Sequence, residues 1–140
     1  MTERSVIHGR FAIERSYLAT PSRVFAAFAS SVARQIWGDT AIAEELARHV
    51  GKYELDFRVG GREVFEFKYC DTTYRYDVRF YDIVADQRII YSYEMYADDV
   101  RVSVSVATIE FASDGDGTAL VWTEQGAYLD GVPTLNGSVR

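Results

Sequence analysis

Cysteine is nearly missing from this chain: Cys70 is the only one among 140 residues. No internal disulfide can staple the fold, and no oxidising compartment is required for it. Cys70 ends an alternating run beside Asp71. Without an identifiable histidine partner it reads as a small buried residue rather than a nucleophile. Histidine is almost as scarce. His8 falls in a polar N-terminal stretch and His49 at the end of a candidate helix, neither with a second His or Cys at ligand spacing, so neither a metal site nor a cofactor is expected. A G-x-S-x-G elbow, a P-loop and a dinucleotide fingerprint are all missing as well. Positive charge is in deficit, with 15 Lys and Arg against 21 Asp and Glu and a net charge of -6. The basic residues are unclustered, which argues against nucleic acid and anionic membrane surfaces as partners. No apolar run approaches a spanning length and Met1 to Arg10 lacks the apolar centre of a signal peptide, so the expectation is a soluble cytoplasmic protein with no membrane span.

Aromatic and aliphatic residues are plentiful, at 14% aromatic and 48% hydrophobic. That suffices for one sizeable core, and residues 1–140 are expected to form one domain. The most regular stretch is Tyr74 to Val106. Tyr74, Tyr76, Val78 and Phe80 alternate with Arg75, Asp77, Arg79 and Tyr81, which predicts a strand with one dry face. After a turn at Asp86-Gln87, Ile89, Tyr91, Tyr93 and Met95 alternate with Ile90, Ser92 and Glu94. After Ala97-Asp98-Asp99, Val102, Val104 and Val106 alternate with Arg101, Ser103 and Ser105. Short connections between such runs predict an antiparallel meander. Ile109 and Phe111 continue the third run with reversed parity, which places a bulge near Ala107 or Thr108.

Upstream, residues 1–10 read as a frayed end, and Phe11, Ile13 and Tyr17 as a first strand stopping near Leu18. Thr20 caps and Pro21 opens a short helix over 21–29 carrying Val24, Phe25 and Phe28 on one face. A second short helix with Val32, Ile36 and Trp37 stops at Gly38-Asp39, and Thr40 to Val50 has the spacing of a third. Tyr53, Leu55, Phe57 and Val59 then alternate up to Gly60-Gly61, and Phe65, Phe67 and Tyr69 alternate up to a turn at Asp71-Thr72-Thr73. A loop at Ser113 to Gly117 leads to a last strand, Thr118 to about Tyr128, with Leu120 and Trp122 on one face.

A strand, short helices and six antiparallel strands resemble the helix-grip (Bet v 1-like) fold of the START and pollen-allergen superfamily, SRPBCC. Four stretches carry the resemblance. Ala19-Thr20-Pro21-Ser22-Arg23-Val24-Phe25-Ala26-Ala27-Phe28 is similar to that superfamily's opening helix. Phe57-Arg58-Val59-Gly60-Gly61, Arg88-Ile89-Ile90-Tyr91-Ser92-Tyr93, and Thr118-Ala119-Leu120 with Thr123-Glu124-Gln125-Gly126 resemble the branch homologous to the activator of heat-shock-protein ATPase. The resemblance implies an α+β fold, a curved antiparallel sheet with short N-terminal helices. The superfamily's long C-terminal helix has no counterpart in the sequence after Gly131, where Pro133 and Gly137 interrupt the tail.

A dry face rich in tyrosine reads as core or as the wall of a pocket. The resemblance implies a pocket for a hydrophobic, lipophilic or aromatic, small molecule, lined by Trp37, Tyr53, Phe67, Tyr69, Tyr76, Tyr91, Tyr93, Met95 and Trp122. Glu124 shares parity with Leu120 and Trp122, and if it enters that pocket desolvation raises its pKa and makes it the candidate catalytic acid or base. Ordinary solvation at a strand end is the bland alternative. Three functions follow: a ligand-binding module, a cyclase or aromatase of the polyketide type, and a protein-interaction module like the heat-shock ATPase activators. The short helices cannot cover the whole aromatic face, so a homodimer, a bound ligand or further chain is expected to complete it.

Overall fold

The computed structural model describes residues 4–30 and 50–130. Their elements are β1 (Val6–Tyr17), α1 (Pro21–Ser30), β2 (Val50–Leu55), β3 (Arg62–Tyr69), β4 (Thr72–Val84), β5 (Arg88–Ala97), β6 (Val100–Asp114) and β7 (Gly117–Leu129). All strands join one curved antiparallel sheet in the order β1-β7-β6-β5-β4-β3-β2. From β2 to β7 each strand pairs with the next in sequence, and β1 closes onto the free side of β7.

Turn chemistry sets these neighbours. Cys70 and Asp71 have φ of 50° and 66°, and Asp98 and Asp99 have 47° and 66°. Two successive left-handed residues are what a two-residue hairpin needs to match the strand twist. Cys70 is therefore an exposed turn residue, not the buried one expected, and the turn falls one residue before Asp71-Thr72-Thr73. The Asp98 turn is tied to β4: the Thr73 N–H donates to Asp98 Oδ1 at 2.9 Å and the Asp98 N–H to Thr73 O at 2.8 Å. Between β6 and β7, Gly115 takes φ of 59° at the first turn position.

The first strand begins earlier than its hydrophobic pattern suggested. Val6 pairs with Leu129 and the ladder runs on to Tyr17 opposite Thr118, so residues 6–10 are strand and not a frayed end. Ile7, Gly9, Phe11 and Ile13 form the partly buried side. The pattern is broken by Gly9, where a Cβ would lie 2.9 Å from the Tyr128 ring. The ring of β7 occupies the place of a side chain on β1. Beyond the ladder, the Ser5 N–H donates to Asp130 Oδ1 at 3.0 Å and the Asp130 N–H to Ser5 O at 2.9 Å.

α1 forms as its cap and apolar spacing require. The Thr20 hydroxyl accepts the Arg23 N–H at 3.4 Å and the Thr20 carbonyl accepts the Val24 N–H at 3.0 Å. Val24 and Phe28 are buried, and Phe28 meets Phe111 and Trp122 edge-on with ring centroids 5.6 and 6.3 Å apart. The helix is thus seated over β6 and β7. The expected second helix, and the third up to His49, lie outside the described residues. Val50 itself opens β2. β2 stops at Leu55, so Phe57 and Val59 belong to the turn rather than the strand. The backbone is drawn tight there: the Asp56 N–H donates to Arg62 O at 2.8 Å, and a Cβ on Gly61 would lie 2.1 Å from Asp56 O. Phe57 packs edge-on against Phe80, 5.0 Å between centroids.

The bulge in β6 falls at its start, not near Ala107 or Thr108. Met95 pairs with Ser103 and Tyr96 with Arg101, leaving Val102 as the extra residue. From there Ser103, Ser105, Ala107, Ile109 and Phe111 point to the buried side, while Val104 and Val106 are 37% and 46% exposed on the other. The outer side also carries charge. Arg62 pairs with Asp77 at 2.6 Å and Arg101 with Glu94 at 3.2 Å, and the Arg75 guanidinium lies 4.3 Å from the Tyr96 ring centre. Among the described residues no helix is long and apolar enough to cross a membrane. The expectation for the tail concerns residues 131–140, which lie outside the described residues.

Candidate functional site

The buried side of the sheet is built from cross-strand rows. One row runs Phe80, Tyr91, Ala107, Glu124, Phe11 across β4, β5, β6, β7 and β1. The next runs Val78, Tyr93, Ser105, Gly126, Gly9. Small residues therefore occupy the middle of both rows. Strands two apart in a sheet are separated by about 10 Å, so β5 and β7 side chains meet over β6 only where β6 is low. Ala107 and Ser105 supply that low ground, and the Tyr93 hydroxyl reaches across it to hydrogen-bond Glu124. Gly126 keeps it low on β7: a Cβ there would lie 2.7 Å from Ser105 Oγ and 3.0 Å from Tyr128 Oη.

Around this ground the rings form a continuous series. Phe67 stacks on Tyr76 with centroids 6.3 Å apart, Tyr76 meets Tyr93 at 5.5 Å, Tyr93 meets Tyr91 at 6.3 Å and Tyr91 meets Phe80 at 6.2 Å. Phe57, Phe25, Phe111 and Phe28 carry the contacts on to Trp122. Tyr76, Tyr91 and Met95 are fully buried and Tyr93 and Phe67 nearly so.

Into this apolar setting the fold places polar atoms. Tyr91 Oη, Ser105 Oγ, Trp122 Nε1 and Glu124 Oε1 are buried and have no hydrogen-bond partner among the described residues. They come from three adjacent strands, β5, β6 and β7. Glu124 is 2% exposed. Burial pushes its carboxyl up to about 7, and the hydrogen bond from Tyr93 offsets part of that rise. Burial and the nearby Glu124 carboxylate raise the Tyr91 and Tyr93 hydroxyls well above the usual tyrosine value, so both stay protonated. A second carboxyl, Glu63 on β3, is also fully buried and accepts the Tyr53 hydroxyl at 2.5 Å. Among the described residues no cluster of His, Cys, Asp and Glu is arranged to hold a metal ion.

Of the residues expected to line a pocket, Phe67, Tyr76, Tyr91, Tyr93, Met95 and Trp122 share this side of the sheet, and Glu124 joins them. Tyr53 lies at the margin, 41% exposed as a residue while its hydroxyl reaches Glu63. Tyr69, at the β3 end beside the turn, is 42% exposed and apart from the buried group. Trp37 lies outside the described residues. Two site residues escaped the sequence reading. Glu63 shares the parity of Phe65 and Phe67, a signal its charge obscured. A bulge near Ala107 or Thr108 turns Ser105 to the outer side, whereas counting back from Phe111 and Ile109 puts it inside, where the structure has it.

Comparison with known proteins agrees with this architecture. The family model described as Activator of Hsp90 ATPase homolog 1-like protein matches residues 18–136. The crystal structure of the Mll3558 protein from Rhizobium loti is 44% identical with a TM-score of 0.78, over 95% of this chain and 88% of that one. A protein from Rhizobium leguminosarum is 38% identical with a TM-score of 0.77, over 93% and 84% of the two chains. At 11% identity, Ara h 8.0201 shares the fold with a TM-score of 0.61, over 91% and 82%. No curated protein matches the chain. With the family model spanning most of its length and the sheet arranged as in these structures, the chain belongs to the Activator of Hsp90 ATPase homolog 1-like family of the SRPBCC superfamily and has its Bet v 1-like fold.

Proposed function

We propose that the buried side of the sheet binds a small lipophilic molecule, aromatic in part, with one polar end. The observation that carries this reading is the set of four buried, unpartnered polar atoms on Tyr91, Ser105, Trp122 and Glu124. Each such group costs about 1–3 kcal/mol when left unsatisfied in a dry interior. Phenylalanine and alanine in place of Tyr91 and Ser105 would pack the same face without that cost. A ligand whose polar end meets these atoms, and whose body lies on the rings of Tyr76, Tyr93 and Phe80, accounts for both features.

The test separates binding from folding. Tyr91→Phe and Ser105→Ala each remove an unpartnered hydroxyl without adding volume. We expect each variant to be as stable as the parent or more stable by about 1 kcal/mol. Each should bind a polar aromatic ligand more weakly by about 1 kcal/mol or more, measured by displacement of an apolar fluorescent probe. Variants that lose stability and leave displacement unchanged would show that the hydroxyls serve the fold alone.

A second reading rests on Glu124, whose carboxyl titrates at about 7 beside the Tyr93 hydroxyl. A buried acid tuned to neutrality suits proton transfer to a bound substrate, as in a cyclase or aromatase of the polyketide type. Under this reading Glu124→Gln abolishes turnover and leaves substrate binding nearly intact, as single-turnover and binding measurements would show.

A further inference from the structure

Building on the binding reading above, we infer that the buried end of the ligand is uncharged and presents a hydrogen-bond acceptor beside a donor, as a primary amide or hydroxyl does, and that the site rejects the carboxylate of the same molecule. The unpartnered atoms set this requirement. Trp122 Nε1 can only donate, so the ligand must offer an acceptor. The Tyr91 hydroxyl keeps its proton, because burial and the neighbouring Glu124 and Glu63 carboxyls disfavour its ionisation, and it adds a second donor. Glu124 Oε1 accepts from a ligand N–H or O–H when the carboxyl is ionised. Ser105 Oγ serves in either sense.

Charge supplies the exclusion. The buried polar and charged residues are Glu63, Ser103, Ser105, Thr118 and Glu124, with no Lys, Arg or His among them; Arg15, which shares this face as the partner of Leu120, is solvent-exposed towards the end of β1. A ligand carboxylate placed against Trp122 would lie beside Glu124 on the same strand, two residues away. In a water-poor site that repulsion is unscreened. A ligand ammonium would suit Glu124 but would leave the Trp122 N–H facing a cation. Only a neutral donor–acceptor group meets both.

Four probes of one shape decide it: naphthamide, naphthoate, methylnaphthalene and naphthylmethylamine, titrated by calorimetry against the full chain at about pH 8, where naphthoate is charged. Naphthamide should bind about tenfold or more tighter than methylnaphthalene, because a site built to hydrogen-bond rejects the analogue that cannot. Naphthoate should bind weaker than methylnaphthalene, and Glu124→Gln should narrow the gap between naphthoate and naphthamide. Equal affinities of naphthamide and naphthoate, or tightest binding by naphthylmethylamine, would overturn the inference. Equal affinities of naphthamide and methylnaphthalene would overturn it while leaving lipophilic binding in place. Binding by none of the four would remove the binding reading itself.

Discussion

At the scale of single residues, Glu124 ties stability to pH. Its carboxyl titrates at about 7 in the fold against 4.5 for the ordinary group. Between those values the native protein holds a proton that the unfolded chain has lost, so stability falls as pH rises through this window. The difference is worth roughly 3 kcal/mol once both states are ionised. Glu124→Gln cannot titrate. In urea unfolding the variant should match the parent at about pH 5 and exceed it by about 1–3 kcal/mol at about pH 9. A parent whose stability is flat across this range would mean that Glu124 is solvated. The residue would then be an ordinary surface charge at a strand end.

At the scale of elements, the hairpin turns hold non-glycine residues in left-handed backbone. Asp98 and Asp99 both occupy left-handed backbone, but only Asp98 is hydrogen-bonded to the β4 backbone, at Thr73. Asp99 has a loose ion pair with Arg75 at 3.6 Å and a side chain 93% exposed, an arrangement of little energetic weight. Asp99→Gly should therefore stabilise the protein by about 0.5–1 kcal/mol in urea unfolding, since glycine takes that φ without strain. No gain in stability would mean that the Arg75 pairing matters more than its exposure suggests. The bulge at Val102 works at the same scale. One extra residue at the start of β6 turns Ser103, Ser105 and Ala107 inward, and that creates the low ground over which Tyr93 reaches Glu124.

At the scale of the whole molecule, the sheet carries a layer of rings whose polar tips are incompletely paired, and a ligand that completes them stabilises the native state by mass action. At about a hundredfold excess over Kd the gain is about 2.7 kcal/mol, a rise of a few degrees in Tm for a protein of this size. Scanning calorimetry with naphthamide should show that rise in the parent and a smaller one in Tyr91→Phe. Equal rises would place the amide elsewhere.

Alternation along Tyr74 to Met95 and from Thr118 to Tyr128, the cap at Thr20-Pro21 and the turn signals at Asp71, Asp86 and Asp98-Asp99 made the sheet, its neighbours and the first helix legible in the sequence, because period, capping and turn chemistry are local properties of the chain. The parity of Glu124 with Trp122 made it a candidate for the dry side, and its 2% exposure in the fold chooses that over a solvated strand end. What the tertiary structure alone decided are the features that depend on another strand. Gly9 belongs to β1 because the Tyr128 ring fills its side-chain space, a fact invisible to a pattern that counts apolar residues. The bulge is set by pairing with Met95 and Tyr96, and nothing within β6 itself distinguishes Val102 from Thr108 as the extra residue. That Tyr91, Ser105, Trp122 and Glu124 share one face is likewise a matter of register, for it needs three strands aligned side by side before their buried polar atoms lie on the same side of the sheet.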